Sequence, residues 1–204
     1  MADLFDTDPA PQGPRPLADR LRPQALDQVI GQEAVLGPDG PLGAMLAAGA
    51  LSSLILWGPP GVGKTTIARL LAHQTNLHFV QISAIFTGVQ DLRKVFEAAK
   101  LRRGQGRGTL LFVDEIHRFN KAQQDGFLPF VESGLLTFIG ATTENPSFEV
   151  ISALLSRATV YVLKPLDEAE MGQLFDRARE RALADLSFDE AARTRLVGLA
   201  DGDA

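Results

Sequence analysis

Two short stretches carry residues whose types and spacing can do phosphate chemistry. The first, "GPPGVGKTT", begins at Gly58 and satisfies the spacing G-x-x-x-x-G-K-[ST], with Lys64 and Thr65 closing the motif. The second, "LLFVDEIHRF", runs four apolar residues directly into Asp114 and Glu115. Because a carboxylate is costly to bury unless it is paired or binds a metal, the second stretch raises the question of what its two acids face.

The glycine-rich stretch has the residue types that cradle a nucleotide's phosphates. Gly61 and Gly63 let the backbone approach the phosphates and turn its N–H groups inward, and a helix beginning near Lys64 directs its positive end to the same place. Lys64 can reach the β and γ phosphates, and the Thr65 hydroxyl can ligate Mg²⁺. The predicted nucleotide-binding residues are Gly58, Pro59, Pro60, Gly61, Val62, Gly63, Lys64, Thr65 and Thr66.

The two acids acquire a role beside such a loop. A strand that ends there places Asp114 near the Mg²⁺, which compensates its charge. Glu115 points to the other side of the strand end, where it can orient and polarise an attacking water. An acid-capped strand without catalytic function is the alternative for these residues alone, but the phosphate-binding loop favours a nucleotide hydrolase. No N-K-x-D motif for guanine specificity is present, so a GTPase is disfavoured.

Two later stretches add candidates. "TFIGATTENPS" is an apolar run that ends in polar residues, and Thr143 and Asn145 can contact the γ phosphate or the water; turn formation before Pro146 is the alternative. In "ISALLSRATVYVLKPL", Arg157 ends a short helix before a strand. Arg157 can act on a neighbouring subunit as an arginine finger, or it is a cation at a helix C-terminus, and the residues leave both interpretations open.

The elements that must position these residues alternate along the chain. Apolar runs predict strands at 53–57, 77–82, 109–113, 137–140 and 159–163, and helical patterns occupy 41–50, 64–74, 89–102, 121–132, 167–184 and 188–200. Such alternation predicts an α/β fold, with a parallel five-stranded sheet between helices. We predict a disordered tail at 1–16, a nucleotide-binding core at 17–164 and a partial helical lid at 165–204.

Composition narrows the class of protein. The chain has 204 residues, of which 45% are hydrophobic and none is cysteine, so a core can form and thiolate metal sites are excluded. We expect no membrane contact, because the start lacks a secretory signal and no run of about 18 apolar residues exists. The net charge of −5 argues against binding nucleic acid by overall charge. The basic run "KLRRGQGRG", residues 100–108, is either a helix end or a DNA-contacting loop.

Together these residues resemble the AAA+ ATPases (P-loop NTPases) of the clamp-loader clade, and within it the replication-associated recombination protein A family, whose eukaryotic relative is the Werner-helicase-interacting protein. The resemblance covers roughly residues 15–204 and is most specific in "DEIHRFNKAQQD" and "GATTENPSFE". The other matching stretches are "PLADRLRP", "VIGQEAVLGP", "LILWGPPGVGKTT", "LLSRA" and "YVLKPL".

The resemblance implies roles that spacing does not show. It implies that Arg22, Val29, Ile30 and Gln32 hold the adenine, where the alternative is an ordinary turn into the first helix, and that Arg157 is the clade's trans-acting arginine. The implied activity is DNA-stimulated hydrolysis of ATP with Mg²⁺ by a homo-oligomer at stalled or gapped replication forks. The implied location is the bacterial cytoplasm at the nucleoid. The short segment "ADLF", residues 2–5, either docks on a single-strand-binding protein or sliding clamp or is a solvated tail.

One departure and two alternatives accompany the resemblance. The family carries a second sensing arginine just after "GDA", where this sequence reads "LADGDA" to Ala204. We therefore expect a truncated lid that keeps nucleotide binding and weakens hydrolysis and assembly. Another clamp-loader relative or a RuvB-like branch-migration motor is the nearest alternative, although clamp-loader motor subunits usually carry a cysteine zinc module. A nucleotide-responsive scaffold with little hydrolysis is the alternative of a different class, against which Glu115 argues.

Overall fold

The computed structural model describes residues 16–203, in which a parallel five-stranded sheet lies between helices, as predicted. The predicted disordered tail at 1–16 and the "ADLF" segment lie outside the described residues, except for Pro16. The strands are β1 Leu54–Trp57, β2 His78–Ser83, β3 Thr109–Asp114, β4 Leu136–Thr142 and β5 Thr159–Val162. Their order across the sheet is β2-β3-β4-β1-β5.

Helices cover both faces of the sheet and continue beyond its last strand. They are α1 Leu17–Leu21, α2 Glu33–Leu36, α3 Pro41–Ala47, α4 Lys64–Gln74, α5 Val89–Gly104, α6 Lys121–Asp125, α7 Leu128–Glu132, α8 Pro146–Glu149, α9 Ser152–Leu155, α10 Glu168–Ala182 and α11 Glu190–Ala200. Short 3₁₀ helices at Leu26–Gln28 and Ile116–Arg118 complete the described chain. Among residues 16–203, no helix combines the length and apolarity that a membrane crossing requires.

Alternating strand residues build two cores, one on each face of the sheet. In β3, Leu111 and Val113 pack with α5 on one face, and Leu110 and Phe112 pack with α4 on the other. All four side chains are fully buried, because helices cover both faces of a parallel sheet. The residues at the carboxyl edge of the sheet are therefore held by strands that are packed on both faces.

The predicted helix at 121–132 is wrong in one respect, because the structure divides it into α6 and α7. Pro129 would lie inside the continuous helix, where proline lacks a donor and clashes with the preceding turn. In the structure it takes the first turn of α7 instead. The break lets Phe127 point into the core, where it is fully buried among Phe96, Phe119 and Phe138.

The last two helices form a separate small cluster against the N-terminal segment. Leu166, Met171 and Val197 make its core, and Ile30 from the N-terminal segment packs against them. Arg177 on α10 donates a 2.5 Å hydrogen bond to the Gln28 carbonyl. A crevice is therefore bounded by the N-terminal segment, the loop after β1 and the helical pair.

Candidate nucleotide site

The loop that joins β1 to α4 takes a shape that only glycines permit at key positions. A Cβ on Gly58 would lie 2.5 Å from the Leu163 carbonyl oxygen, so no side chain fits there. Gly61 and Gly63 have φ angles of 74° and 89°, in the left-handed region that favours glycine. The loop can therefore pass close to a ligand while its N–H groups turn toward it.

The N-terminus of α4 is open to an anion. Gly63 is its N-cap residue and supplies no side-chain oxygen to the first N–H groups of the helix. Unpaired N–H groups at a helix start, together with the helix dipole, bind phosphates. Thr65 and Thr66 lie in the first turn of α4, beside these groups, and both line the cavity described next.

The P-loop and the two acids line one cavity of about 290 Å³, which we call the phosphate cavity. Strand β4 separates β3 from β1, so Asp114 and the loop come from strands that are not neighbours. They meet because all five strands are parallel and present their carboxyl ends at the same edge. The lining residues are Arg22, Pro60, Gly61, Gly63, Lys64, Thr65, Thr66, Asp114 and Glu115.

Lys64 lies at the floor of the phosphate cavity with little exposure to solvent. Its Nζ donates 2.7 Å hydrogen bonds to the carbonyl oxygens of Gly58 and Pro59. Burial lowers the pKa of Lys64, and the negative charges of Glu115 and Asp114 oppose that shift. The ammonium is thus held within the loop with carboxylates nearby, in a place where a phosphate would supply further negative charge.

The donors in the cavity fit a magnesium ion that a nucleotide helps to hold. Thr65 offers a hydroxyl oxygen and Asp114 a carboxylate, and both line the cavity. Mg²⁺ usually takes one or two protein oxygens and completes its shell with phosphates and waters. Within residues 16–203, no three His, Asp or Glu side chains lie together in a group that could hold a metal ion.

Glu115 is held in an unusual backbone conformation at the end of β3. Its φ of 54° and ψ of 48° place a non-glycine residue in the left-handed region. This conformation costs energy, and residues that adopt it cluster at functional sites. Its carboxylate Oε2 lies 3.1 Å from His117 Nδ1 and 3.5 Å from Thr143 Oγ1. The turn therefore sends the Glu115 side chain to the end of β4 instead of continuing along β3.

His117 and Thr142 are residues of this site that the sequence reasoning missed. His117 Nδ1 lies 3.0 Å from the Thr142 hydroxyl, and Thr142 is fully buried. His117 lies in the stretch "DEIHRFNKAQQD" that carries the resemblance, but its position two residues after Glu115 did not by itself assign it a role. Thr142 gave no signal of its own, because threonine is an ordinary residue at a strand end.

Of the two polar candidates after β4, one faces the acids and the other caps a helix. Thr143 contacts Glu115, as described above. Asn145 is the N-cap of α8, and its Oδ1 accepts a 3.0 Å hydrogen bond from the Ser147 N–H. The Asn145 side-chain oxygen therefore agrees with the alternative of turn formation before Pro146, because it bonds an N–H group in the first turn of α8.

A second, more apolar cavity of about 220 Å³ adjoins the first across Gly61 and Gly63. Arg22, Val29 and Ile30, three of the four predicted adenine contacts, line it with Val62 and α10 residues. Gln32 lies elsewhere: its amide group donates a 2.8 Å bond to the Lys164 carbonyl and accepts from the Lys164 N–H. Its buried side chain joins the N-terminal segment to the chain after β5, because a buried amide must be hydrogen-bonded.

Arg157 lies at the opposite edge of the sheet from the phosphate cavity. It precedes β5, whose first residue, Thr159, pairs in register with Leu54, the first residue of β1. Its guanidinium bonds Glu132 at 2.5 Å and the Ala153 carbonyl at 2.7 Å. Because the four-residue strand β1 separates the two edges by roughly 13 Å, Arg157 does not belong to the site of its own chain.

The basic run at residues 100–108 begins on a helix. Helix α5 continues to Gly104, with Arg102 and Arg103 in its last turn, where cations are favoured. Lys100 pairs with Glu97 at 2.8 Å on the same helix. This placement agrees with the helix-end interpretation for these three side chains.

Comparison with known proteins agrees with this geometry. The pattern of the ATPase family associated with various cellular activities (AAA) matches residues 54–166, from β1 to the start of the helical pair. The chain is 49% identical to replication-associated recombination protein A of Escherichia coli K12 over 195 residues, or 93% of this chain. It is 44% identical to ATPase WRNIP1 of Dictyostelium discoideum over 193 residues, again 93% of this chain.

The chain spans only part of these relatives: 44% of the Escherichia coli protein and 22% of the Dictyostelium protein. Among solved structures it is similar to the Thermotoga maritima RuvB Holliday junction branch migration motor, with a TM-score of 0.72 and 31% identity. The match covers 90% of this chain and 61% of that one. A single-substitution variant of the same Thermotoga maritima RuvB gives a TM-score of 0.74 at 30% identity. The predicted fold class and family resemblance are confirmed.

Proposed function

Because this chain belongs to the AAA family of ATPases, we propose that it binds ATP with Mg²⁺ in the phosphate cavity and hydrolyses it. The observation that carries the proposal is that the P-loop and the acids at the end of β3 line one cavity, although the loop and the acids come from non-adjacent strands. A binding module needs the loop but has no use for Glu115 beside it, so the pairing favours a hydrolase.

Each residue has a role that its position supports. The N–H groups after Gly61 and the start of α4 bind the phosphates, and Lys64 exchanges its loop carbonyls for β and γ phosphate oxygens. Thr65 and Asp114 would hold Mg²⁺, which neutralises the charge that develops on the phosphates. Glu115 orients the attacking water, and Thr143 beside it contacts the water or the γ phosphate. The adjoining apolar cavity, with Arg22, Val29 and Ile30, receives the adenine.

The position of Arg157 supports action between subunits. In its own chain it lies beyond the amino end of β5, away from Lys64 and Glu115. If Arg157 stabilises charge on a γ phosphate, that phosphate is bound in the site of a neighbouring copy, as for arginine fingers in trans. We therefore propose that the protein works as a homo-oligomer, with each site completed by the next subunit. The core at 17–164 would supply the site and the helices of 165–204 part of a lid over it.

The relatives suggest where this activity is used. The names of the bacterial relatives refer to replication and recombination, so we propose that ATP hydrolysis here is coupled to DNA at stalled or gapped forks, in the bacterial cytoplasm at the nucleoid. Contact with a single-strand-binding protein or sliding clamp is part of the same proposal. The likeness to the RuvB branch migration motor supports a second candidate, a motor that moves DNA junctions. Both candidates require the same ATP site.

Two substitutions separate binding from turnover. Lys64→Ala should abolish ATP binding, because it removes the cation of the loop, whereas Glu115→Gln should keep binding and stop hydrolysis. Binding is measured by equilibrium titration with a fluorescent ATP analogue and turnover by phosphate release, with and without forked DNA. An equal loss of affinity in both variants would remove the water-orienting role of Glu115. Undiminished turnover in Glu115→Gln would do the same.

A further inference from the structure

His117 makes a bridge between the two strand ends that carry the candidate catalytic residues. Its side chain is only 7% exposed, and its Nδ1 lies 3.1 Å from Glu115 Oε2 and 3.0 Å from Thr142 Oγ1. Glu115 follows β3, whereas Thr142 is the last residue of β4. One imidazole nitrogen thus contacts both the residue after β3 and the last residue of β4, at the edge where the phosphate cavity lies.

The chemistry of the partners fixes which nitrogen carries the hydrogen. An ionised carboxylate can only accept hydrogen bonds, so a 3.1 Å contact with Glu115 is favourable only when Nδ1 bears a proton. The Thr142 hydroxyl can then accept from the same N–H and donate to the Glu144 carbonyl, 3.2 Å away. The reverse arrangement would place a bare nitrogen lone pair against the Glu115 carboxylate, which is repulsive.

Thr142 extends the bridge into the segment that follows β4. Its hydroxyl oxygen also accepts a 3.0 Å hydrogen bond from the Glu144 N–H. Glu144 follows Thr143, whose own hydroxyl lies 3.5 Å from Glu115. The Glu115 carboxylate, the His117 ring and residues 142–144 therefore form one closed hydrogen-bonded network, and a shift of any member changes the surroundings of Glu115.

We propose that His117 is a positioning residue: its Nδ1–H holds the Glu115 carboxylate and ties it to residues 142–144. This inference rests on the proposed function, because it concerns the group that orients the water. His117 does not reach the phosphates itself, since it does not line the phosphate cavity. Its effect is to set the direction of the Glu115 side chain. Through Thr142, a displacement of residues 142–144 would also change that direction.

The contact can be tested without nucleotide. The chain has three histidines, so ¹⁵N-histidine NMR spectra are simple, and the His117 signals are identified by their loss in His117→Asn. We expect a protonated Nδ1 in the unaltered protein and a marked change in its shift in Glu115→Gln and Thr142→Val. A His117 ring protonated at Nε2 with a bare Nδ1 would overturn the proposal, because such a ring cannot donate to Glu115.

Kinetics then test whether the contact matters for turnover. His117→Ala should lower kcat by about 10- to 100-fold, the effect of losing one hydrogen bond to a charged group, with ATP affinity unchanged. His117→Asn, which keeps a donor near the Nδ1 position, should recover most of kcat, as should Thr142→Ser relative to Thr142→Val. His73→Ala, an exposed histidine in the last turn of α4, is the matched control and should behave as the unaltered protein.

The outcomes separate this inference from the proposed function. Equal loss in His117→Ala and His117→Asn would indicate a packing role and refute positioning. A fall in ATP affinity with kcat unchanged would refute it as well. The unaltered protein could instead lack hydrolysis while Nδ1 is protonated and its signal changes in Glu115→Gln. That outcome would refute the proposed function, and with it any catalytic effect of His117.

Discussion

The sharpest prediction concerns the separation of Arg157 from the site it is proposed to serve. In the described chain Arg157 contacts Glu132 and Ala153 at the amino edge of the sheet, and Lys64 and Glu115 lie at the carboxyl edge. Arg157→Ala should therefore leave ATP affinity unchanged and reduce kcat by about 10³-fold or more, the contribution of an arginine finger. Glu115→Gln should also be inactive, because it alters the phosphate cavity at the carboxyl edge.

Mixing the two inactive proteins then gives a defined recovery. If each site takes its arginine from the next subunit, a site is complete when an intact Glu115 meets an intact Arg157 from its neighbour. For random assembly of equal amounts of the two variants, about one interface in four meets that condition, so phosphate release should recover to about a quarter of the unaltered rate. Phosphate release is measured across a series of mixing ratios after subunit exchange.

A matched control uses the same assay with two substitutions that lie in the same cavity of one chain. Lys64→Met and Glu115→Gln alter the same cavity of the same chain, so no mixture of these two contains a complete site, and activity should stay at baseline. Failure of the Arg157→Ala and Glu115→Gln mixture to recover at any ratio, in protein that assembles, would refute action in trans. So would a large loss of ATP affinity in Arg157→Ala alone.

Two further predictions address the cavity itself. Burial lowers the pKa of Lys64 below its value in the unfolded chain, so between the two pKa values the unfolded state binds more protons and the free energy of unfolding rises with pH. Urea unfolding of the nucleotide-free protein should show this rise just below the ordinary lysine pKa, and Lys64→Met should lack it; equal slopes would contradict the shift. Val29→Asp should weaken ATP binding by about tenfold or more, because it puts a charge in the apolar cavity, and leave inorganic triphosphate binding unchanged. Exposed Val89→Asp is its control, and equal weakening of both ligands in a competition titration would place the adenine elsewhere.

Local pattern was enough for the elements that the site depends on most. Helix α4 begins and ends where predicted, at Lys64 and Gln74, because the motif sets its start. Strand β3 was recognised from the apolar run at residues 110–113, since the interior of a strand covered on both faces is apolar at every position. Helices α6 and α7 were merged although Pro129 is a local signal for the break, whereas the burial of Phe127 among other rings is tertiary and leaves no periodic trace.

By itself the sequence determined the chemistry of the loop and the acids, because the requirements of phosphate, glycine backbone and carboxylate are local and tied to spacing. It also determined that a parallel sheet would carry them. Only the tertiary structure decided that Asp114 reaches the loop across β4 and that the Gln32 side chain bonds the Lys164 backbone. The same is true of His117, which joins Glu115 to Thr142. Each of these depends on which distant segments of the chain become neighbours, a long-range outcome of packing that residue types along the chain do not encode one at a time.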